Sequence, residues 1–293
     1  MRADTFAGMT FRHPLAFPLG LEGVALLRAY AGDGNHGADY TEERIAEVRA
    51  LLAAYDDGEL GDGDTVGATD TVTGYRAWSV TYDEFNPLVA VEEPLVRELL
   101  DALPPGRALD AACGTGRHAA YLAAHGHHVI GVDSSPEMLA IARTKVPEGT
   151  FTDGELTALP VPDGDVDLVV CALALPHTPD LAPVFAEFAR VLRPGGHLIL
   201  SDIHWMSLYL GGIASAVDAD GMRKRMPAGR FRPSDYLAAA LPLGFAVRDL
   251  REPCWPLEVI GGGPVADKYG RAAVVAAYEN TPAAIIWHLQ TAS

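Results

Sequence analysis

Short apolar runs alternating with helical stretches fill the middle of the chain, and they constrain its fold more than any other feature. The apolar runs are 108–112, 129–132, 166–172 and 198–201, and the intervening stretches of helical spacing are 117–125, 136–145 and 180–192. Such alternation is typical of βαβ units on a parallel sheet. The runs are apolar at consecutive positions, as expected of strands covered on both faces. The sequence therefore predicts an α/β fold with a doubly wound, mostly parallel sheet.

The first 70 residues differ from the rest. Residues 21–30 and 40–55 have helical spacing, and residues 56–70 are rich in Asp and Gly. This predicts a helical N-terminal extension ending in an acidic linker, followed by a second domain over 71–293. The apolar faces of the extension need a partner. Capping of a pocket and pairing of two subunits in a homodimer both remain open.

Charge and cysteine content restrict the partners. The formal net charge is −17 and the pI is about 4.9, so a nucleic acid or an anionic membrane would be repelled by most of the surface. The three cysteines, Cys113, Cys171 and Cys254, lie far apart in the sequence and suggest neither a disulfide framework nor a metal site. Residues 1–20 lack an apolar core of signal-peptide length, and a cytoplasmic location is expected.

A glycine turn follows the first apolar run. Gly114 and Gly116 permit a tight turn and the close approach of a ligand, and Ala119 permits close helix–strand packing. Asp133 ends the next run, 19 residues after Gly114, where a carboxylate can accept hydrogen bonds from a ribose. This pattern alone fits a nicotinamide dinucleotide as well as an S-adenosyl cofactor.

Five segments in order resemble the class I methyltransferases that use S-adenosylmethionine (SAM) and act on small molecules. The segments are 110–116, 132–139, 151–155, 166–174 and 188–198. The resemblance covers residues 71–293, and a dehydrogenase has no reason to carry the last two segments. It implies a Rossmann-like, seven-stranded sheet, SAM as cofactor and S-adenosylhomocysteine (SAH) as product. It also implies that residues 204–232 cover the substrate.

The resemblance also assigns the cofactor contacts. Asp110 would contact the methionine end of SAM, Asp133 the ribose, and Asp153 the adenine amino group. The full set of implied cofactor-binding residues is Tyr82, Asp110, Ala111, Cys113, Gly114, Gly116, Asp133, Ser134, Met138, Asp153, Gly154, Glu155 and Ala172. One residue departs from the family, which has glycine at the position of Ala112. Alanine adds one methyl group and is expected to be tolerated there, whereas a positive φ would count against the assignment.

Two histidines follow strands and are candidates for a general base. His177 follows the fourth strand and His204 the fifth, so both are expected on the ligand side of the sheet. Methyl transfer needs a base only if the acceptor must lose a proton. A helix-entry role for His177 and a packed loop role for His204 are the alternatives. No histidine pair has metal-ligand spacing, and no metal is predicted.

Two further segments border the expected site. Residues 75–83 resemble a family segment that folds over the methionine end of SAM, although Tyr75, Trp78 and Tyr82 also have the spacing of helical core packing. Five basic residues lie in 223–232; they would hold an anionic group of the substrate or form a solvated face. The predicted activity is methyl transfer to an O, N or C nucleophile of a small molecule. The alternatives are a SAM-binding protein that does not transfer methyl groups and a nicotinamide-dependent oxidoreductase.

Overall fold

The computed structural model describes residues 9–32, 37–79, 81–212, 215–217 and 221–292. Outside these ranges lie Val80, which belongs to the segment 75–83, and parts of the predicted extension and of 204–232. The described strands are β1 Met9–Arg12, β2 Asp64–Ala68, β3 Arg107–Ala111, β4 His128–Asp133, β5 Thr150–Asp153, β6 Val166–Ala172, β7 Leu192–Ile203, β8 Ser215–Val217, β9 Arg223–Arg225, β10 Ala246–Arg251 and β11 Ala284–Gln290. The described helices are α1 Ala16–Ala31, α2 Ala38–Asp56, α3 Thr71–Trp78, α4 Pro87–Asp101, α5 Arg117–Ala124, α6 Pro136–Lys145, α7 Ala182–Val191, α8 Trp205–Tyr209, α9 Pro233–Ala240, α10 Leu257–Ile260, α11 Pro264–Tyr269 and α12 Arg271–Tyr278.

The chain divides into two compact units. One consists of Met1–Ala68 and Cys254–Thr281, and the other of Thr69–Pro253 and Pro282–Ser293. The grouping of 254–281 with the N-terminal segment was not predicted from the sequence. The predicted boundary near residue 70, with its assignment of roles to the two parts, stays a prediction.

The smaller unit is mainly helical. Leu21 of α1 packs with Ala273, Val274 and Ala277 of α12 in a small apolar core. Residues 64–68, predicted as linker, instead form β2, which pairs antiparallel with β1. Thr65 and Val66 are β-branched and suit an extended backbone, a preference that the surrounding Asp and Gly residues obscured in the sequence.

The larger unit is built on a seven-stranded sheet with the order β10-β11-β7-β6-β3-β4-β5 among the described residues. The strands from β7 to β5 are parallel, and β11 runs antiparallel to both of its neighbours. This confirms the predicted mostly parallel, doubly wound Rossmann-like sheet.

Helices cover both faces of this sheet. Along β3, Leu109 packs in the core that contains Phe185 of α7, whereas Ala108 packs in the core that contains Val96 of α4 and Leu122 of α5. Because successive side chains of a strand point to opposite faces, both sets must be apolar in a sheet covered on both sides. The apolar runs seen in the sequence follow from this double burial.

Candidate functional site

The order in which the strands follow one another across the sheet reverses between the neighbouring strands β3 and β6. From β3 it adds β4 and β5 on one side, and from β6 it adds β7 on the other. In sheets of this kind, ligands bind outside the carboxyl ends of the strands at such a switch point. The predicted cofactor residues from Asp110 to Ala172, and both candidate histidines, lie at or just after these carboxyl ends. The fold therefore brings the predicted site to one edge.

The glycine turn and the acid after β4 form one hydrogen-bonded unit. Gly114 and Gly116 have φ values of 52° and 82°, in the left-handed region. The Gly114 amide donates to Asp133 Oδ2 at 2.8 Å. A Cβ on Gly116 would lie 3.0 Å from the Cβ of Ala142, so the close approach of α6 also demands glycine there.

Asp133 retains capacity for a ligand. Its Oδ1 accepts from the Ser135 amide at 2.8 Å, so each oxygen accepts one hydrogen bond of this kind from the described residues. A carboxylate offers about four lone-pair directions, which leaves about two for the hydroxyls of a ribose. Burial raises the pKa of Asp133, while the amides of Ser135 and Gly114 oppose that shift. Next to it, Ser134 is partly buried and Met138 is 1 % exposed.

Asp110 is more deeply buried than Asp133 and has a structural bond. Its side chain is 2 % exposed, and Oδ2 accepts from the Ala119 amide at 2.8 Å. Burial raises its pKa to about 6, against the lowering effects of His118 and of the Ala119 amide. Asp110 thus fixes the end of β3 to α5, and its predicted contact with the cofactor stays a prediction.

The backbone is strained on both sides of the switch point. Ala112 after β3 has φ of 59°, and Leu173 after β6 has φ of 58°. The expectation of a negative φ at Ala112 was wrong, because the turn keeps its left-handed conformation although alanine replaces the family's glycine. An L-residue in this conformation costs roughly 1–2 kcal/mol. The strain thus lies where the ligand edge is formed, as is common at functional sites.

The segment after β5 meets Asp133 through its backbone. The Gly154 amide donates to the Asp133 carbonyl at 3.2 Å. A Cβ on Gly154 would lie 2.7 Å from Pro160 Cδ, so glycine is required. Asp153 and Glu155 are exposed at this point, and their predicted adenine contacts stay predictions.

Residues 71–79 and 81–85, here called the aromatic segment, lie across the ligand edge. The rings of Tyr75, Trp78 and Tyr82 contact one another with centroid distances of 5.2 to 5.9 Å. A Cβ on Gly114 would lie 3.7 Å from Tyr82 Cε1, which places this ring beside the glycine turn. The three aromatic residues therefore form a cluster at the site.

Ion pairs hold the aromatic segment in place. Asp83 accepts from Thr115 Oγ1 at 2.6 Å and from Lys145 Nζ at 2.6 Å, which ties it to the glycine turn and to α6. On α3, Arg76 Nε donates to Glu137 Oε1 at 2.8 Å. These contacts were not predicted from the sequence because their partners lie about 30 to 60 residues apart.

His177 is locked in one tautomer. Its Nδ1 lies 2.6 Å from the Pro227 carbonyl oxygen, which can only accept, so Nδ1 carries the hydrogen. Nε2 then accepts from the Tyr75 hydroxyl at 2.9 Å. Burial lowers the pKa of His177, although the bond to Pro227 opposes the shift. The ring is therefore neutral at pH 7, with Nε2 directed at the aromatic cluster.

His204 is engaged differently. Its Nδ1 accepts from the Met206 amide at 3.2 Å as the N-cap of α8, and its Nε2 donates to Glu252 Oε1 at 2.9 Å. The side chain is 2 % exposed. Neither ring nitrogen is free in this arrangement, which favours the packed loop role over the base role.

A buried charge network close to the glycine turn was also not predicted from the sequence. Glu92 on α4 is fully buried, accepts from Ser201 Oγ at 2.5 Å, and pairs with Arg117 Nη1 at 3.1 Å. Burial raises its pKa, but His118 and Arg117 more than offset this, and the net pKa is lowered. Glu92 shares a helical face with Val96 and Leu99, and this acid on an apolar face was the available sequence signal.

Two negative findings apply only to the described residues. Within the described ranges, no group of three or more His, Cys, Asp or Glu side chains is placed to hold a metal ion. None of the helices in those ranges is both long and apolar enough to cross a membrane.

Comparison with known proteins adds three findings. The sequence profile of a family described as "Methyltransferase domain" matches residues 109–200. An uncharacterised methyltransferase of Synechocystis is 36 % identical over 151 residues, which cover 47 % of this chain and 71 % of that protein. A ubiquinone biosynthesis O-methyltransferase of Marinobacter nauticus is 32 % identical over 191 residues, covering 60 % of this chain and 79 % of that protein.

A solved structure agrees with these matches. A SAM-dependent methyltransferase of Mesorhizobium loti superimposes with a TM-score of 0.52 at 26 % identity, covering 70 % of this chain and all of that one. The matched profile spans β3 to β7, the strands that carry the glycine turn, Asp133 and Ala172.

Proposed function

The chain belongs to the class I SAM-dependent methyltransferases, and on that premise we propose that it transfers the methyl group of SAM to a small-molecule acceptor. SAM supplies an electrophilic methyl group on a sulfonium, which an acceptor displaces in line. The observation that best supports the proposed site is the hydrogen-bonded unit of the glycine turn and Asp133 at the switch point. The residues fit SAM because they offer oxygen acceptors for hydroxyls and amines and a turn without side-chain obstruction.

Binding would fall to residues at the ends of β4 and β5 and to the aromatic segment. Asp133 would accept from the ribose hydroxyls with the lone pairs that the backbone leaves unused. The exposed Asp153 would accept from the adenine amino group. Tyr82 would lie beside the methionine end, since its ring is next to Gly114. An aromatic face there would attract the sulfonium charge.

Catalysis would rest largely on positioning and water exclusion. The aromatic segment lies across the ligand edge and is fixed there by Asp83 and Arg76. A cover of this kind orients the acceptor and keeps water from the reacting atoms. The net charge of −17 would repel a polyanionic acceptor such as a nucleic acid, and this also favours a small acceptor.

For an acceptor that loses a proton, we propose His177 rather than His204 as the base. The neutral Nε2 of His177 accepts from the Tyr75 hydroxyl, so Tyr75 can take a proton from the acceptor while passing its own to His177. The Pro227 carbonyl then stays bonded to Nδ1 and stabilises the protonated ring. Tyr75→Phe and His177→Gln should each lower kcat with little change in the Kd of SAM.

Calorimetric titration with SAM, SAH and NADH tests the cofactor part. SAM and SAH should bind and NADH should not. Asp133→Ala should cost about 2 kcal/mol of SAM binding, because two charge-assisted hydrogen bonds are lost. Asp62→Ala, which removes an exposed carboxylate from the other unit, is the matched control and should leave affinity unchanged. Binding of NADH without SAM would refute the proposal. SAH accumulation during turnover separates a methyltransferase from a protein that uses SAM without transferring the methyl group.

A further inference from the structure

The region between α8 and α9 holds an unusual concentration of positive charge. Five of the chain's 22 basic residues fall within residues 223–232, a stretch without Asp or Glu in a chain of net charge −17. We call residues 221–232 the basic strap. It forms β9 and then an irregular stretch that leads to the start of α9.

The backbone of the basic strap is attached to the ligand edge at three points. The Arg225 carbonyl accepts from the amide of Thr69, two residues before the aromatic segment, at 3.0 Å. The Pro227 carbonyl accepts from His177 Nδ1 at 2.6 Å, and the Gly229 amide donates to the Pro176 carbonyl at 2.6 Å. The strap therefore runs alongside the turn after β6 that carries the candidate base.

A buried side chain strengthens this attachment. Met226 is 1 % exposed, and its Sδ would lie 2.5 Å from a Cβ on Gly74 of α3. A side chain at position 74 would force Met226 to move. The strap is thus packed against the aromatic segment and has a defined position at the site.

The arginine side chains of the strap are exposed and lack acidic partners in the described part of the chain. Arg223 donates to the Ser215 hydroxyl at 2.8 Å, and Arg230 lies over the Tyr209 ring at 5.9 Å. Arg225 and Arg232 are likewise exposed, and none of the four forms an ion pair with a described carboxylate. Elsewhere in the same unit, Arg190 and Arg193 each pair with Asp or Glu.

We propose that the methyl acceptor carries a carboxylate or phosphate group, and that the arginines of the basic strap bind it. This rests on the proposed function and specifies its substrate class. Guanidinium groups match such anions with paired hydrogen bonds. The strap would hold the anionic end while the nucleophile lies under the aromatic segment near His177. A small anion meets only this local positive charge, whereas a long polyanion also meets the acidic remainder of the surface.

The experiment titrates the SAH-loaded protein with three aromatic probes of similar size by calorimetry. Phenyl phosphate and 4-hydroxybenzoate carry the anionic group, and 4-hydroxybenzyl alcohol is the neutral counterpart. The anionic probes should bind about tenfold more tightly than the neutral one, and raising the salt concentration should weaken them.

Two charge-matched variants identify the site. Arg225→Gln/Arg230→Gln should weaken the anionic probes about tenfold or more. Arg193→Gln/Arg248→Gln removes the same charge from exposed arginines outside the strap and should change affinity less than about twofold. Both variants should keep the unmodified affinity for SAH, which shows that they are folded.

Three results would overturn the proposal: equal binding of neutral and anionic probes, full affinity in the strap variant, or binding of polyglutamate or duplex DNA without binding of the small probes. The salt dependence of anionic-probe binding to the unmodified protein tests the proposal even if the strap variant fails to fold, because salt-insensitive binding would also refute the proposal. Failure of SAH to bind the unmodified protein would instead refute the proposed function.

Discussion

Replacing Asp202 by asparagine should remove the pH dependence that one buried carboxyl group gives to the stability of this protein. Asp202, near the end of β7, is 1 % exposed, and its Oδ2 accepts from the Tyr236 hydroxyl at 2.7 Å. Its Oδ1 is buried and has no hydrogen-bond partner among the described residues. Burial raises the pKa of Asp202 to about 8, although the Tyr236 hydroxyl and the Leu175 amide favour the ionised form.

The sign follows from the two states of the carboxyl group. Unfolded, Asp202 titrates near its ordinary pKa of about 3.9, so between about pH 4 and pH 8 the folded state holds a proton that the unfolded state has released. The stability that the protonated Asp202 contributes is therefore fully present below about pH 4, and it is lost as the pH rises through about 8. Each pH unit in this window costs about 1.4 kcal/mol, on the order of 4 kcal/mol between pH 5 and pH 8.

Urea denaturation of the unmodified protein and of Asp202→Asn, followed by tryptophan fluorescence across this pH range, measures the effect. The amide cannot ionise, so the free energy of unfolding of the variant minus that of the unmodified protein should increase with pH. Asp62→Asn, which makes the same replacement at an exposed site, is the matched control. A flat difference for Asp202→Asn, or one that decreases with pH, would refute the reasoning.

Three other outcomes are expected. Ala112→Gly should raise the free energy of unfolding, measured in urea, by up to about 1 kcal/mol, because glycine adopts φ 59° without strain. The greater entropy of glycine in the unfolded chain offsets part of this gain, and a loss of stability would contradict the prediction. Glu92→Ala should cost about 3 kcal/mol in the same assay, since it leaves its arginine partner without a buried carboxylate, whereas Glu98→Ala at an exposed pair should cost less than about 1 kcal/mol. In an NMR titration His177 should have a pKa below its ordinary 6.5, because burial disfavours the charged ring, and a value at or above 6.5 would show that the ring is more solvated than described.

Local and periodic features were predictable from the sequence. The apolar runs predicted the strands because burial on both faces demands apolar side chains at consecutive positions. Gly114 and Gly116 predicted the turn because few other residues adopt a positive φ at low cost, and the structure has both in the left-handed region. The apolar run before Asp133 predicted that this acid ends a strand, and the structure has it as the last residue of β4. Its hydrogen bond with the Gly114 amide was not predicted.

Ala112 shows where a local rule fails. The chain belongs to the methyltransferase family although Ala112 has a positive φ, so the criterion set on this residue was wrong and the assignment was right. Alanine prefers a negative φ, so the sequence predicts an ordinary backbone there. The packing of β3, α5 and the Asp133 bond fixes the turn, and the turn imposes its conformation on whichever residue occupies the position. Tertiary structure thus overrode a residue preference of roughly 1–2 kcal/mol.

The sequence by itself determined the order of the elements, the turn and the strand-end acids, because these depend on side-chain periodicity and on backbone preferences of single residues. Only the tertiary structure decided which nitrogen of His177 carries the hydrogen, that His204 caps a helix, and that Glu92 and Asp202 are buried. It also placed Pro227 of the basic strap against His177, 50 residues earlier in the chain. Hydrogen-bond partners and desolvation depend on groups that folding brings together from distant positions, and no spacing along the chain encodes them directly.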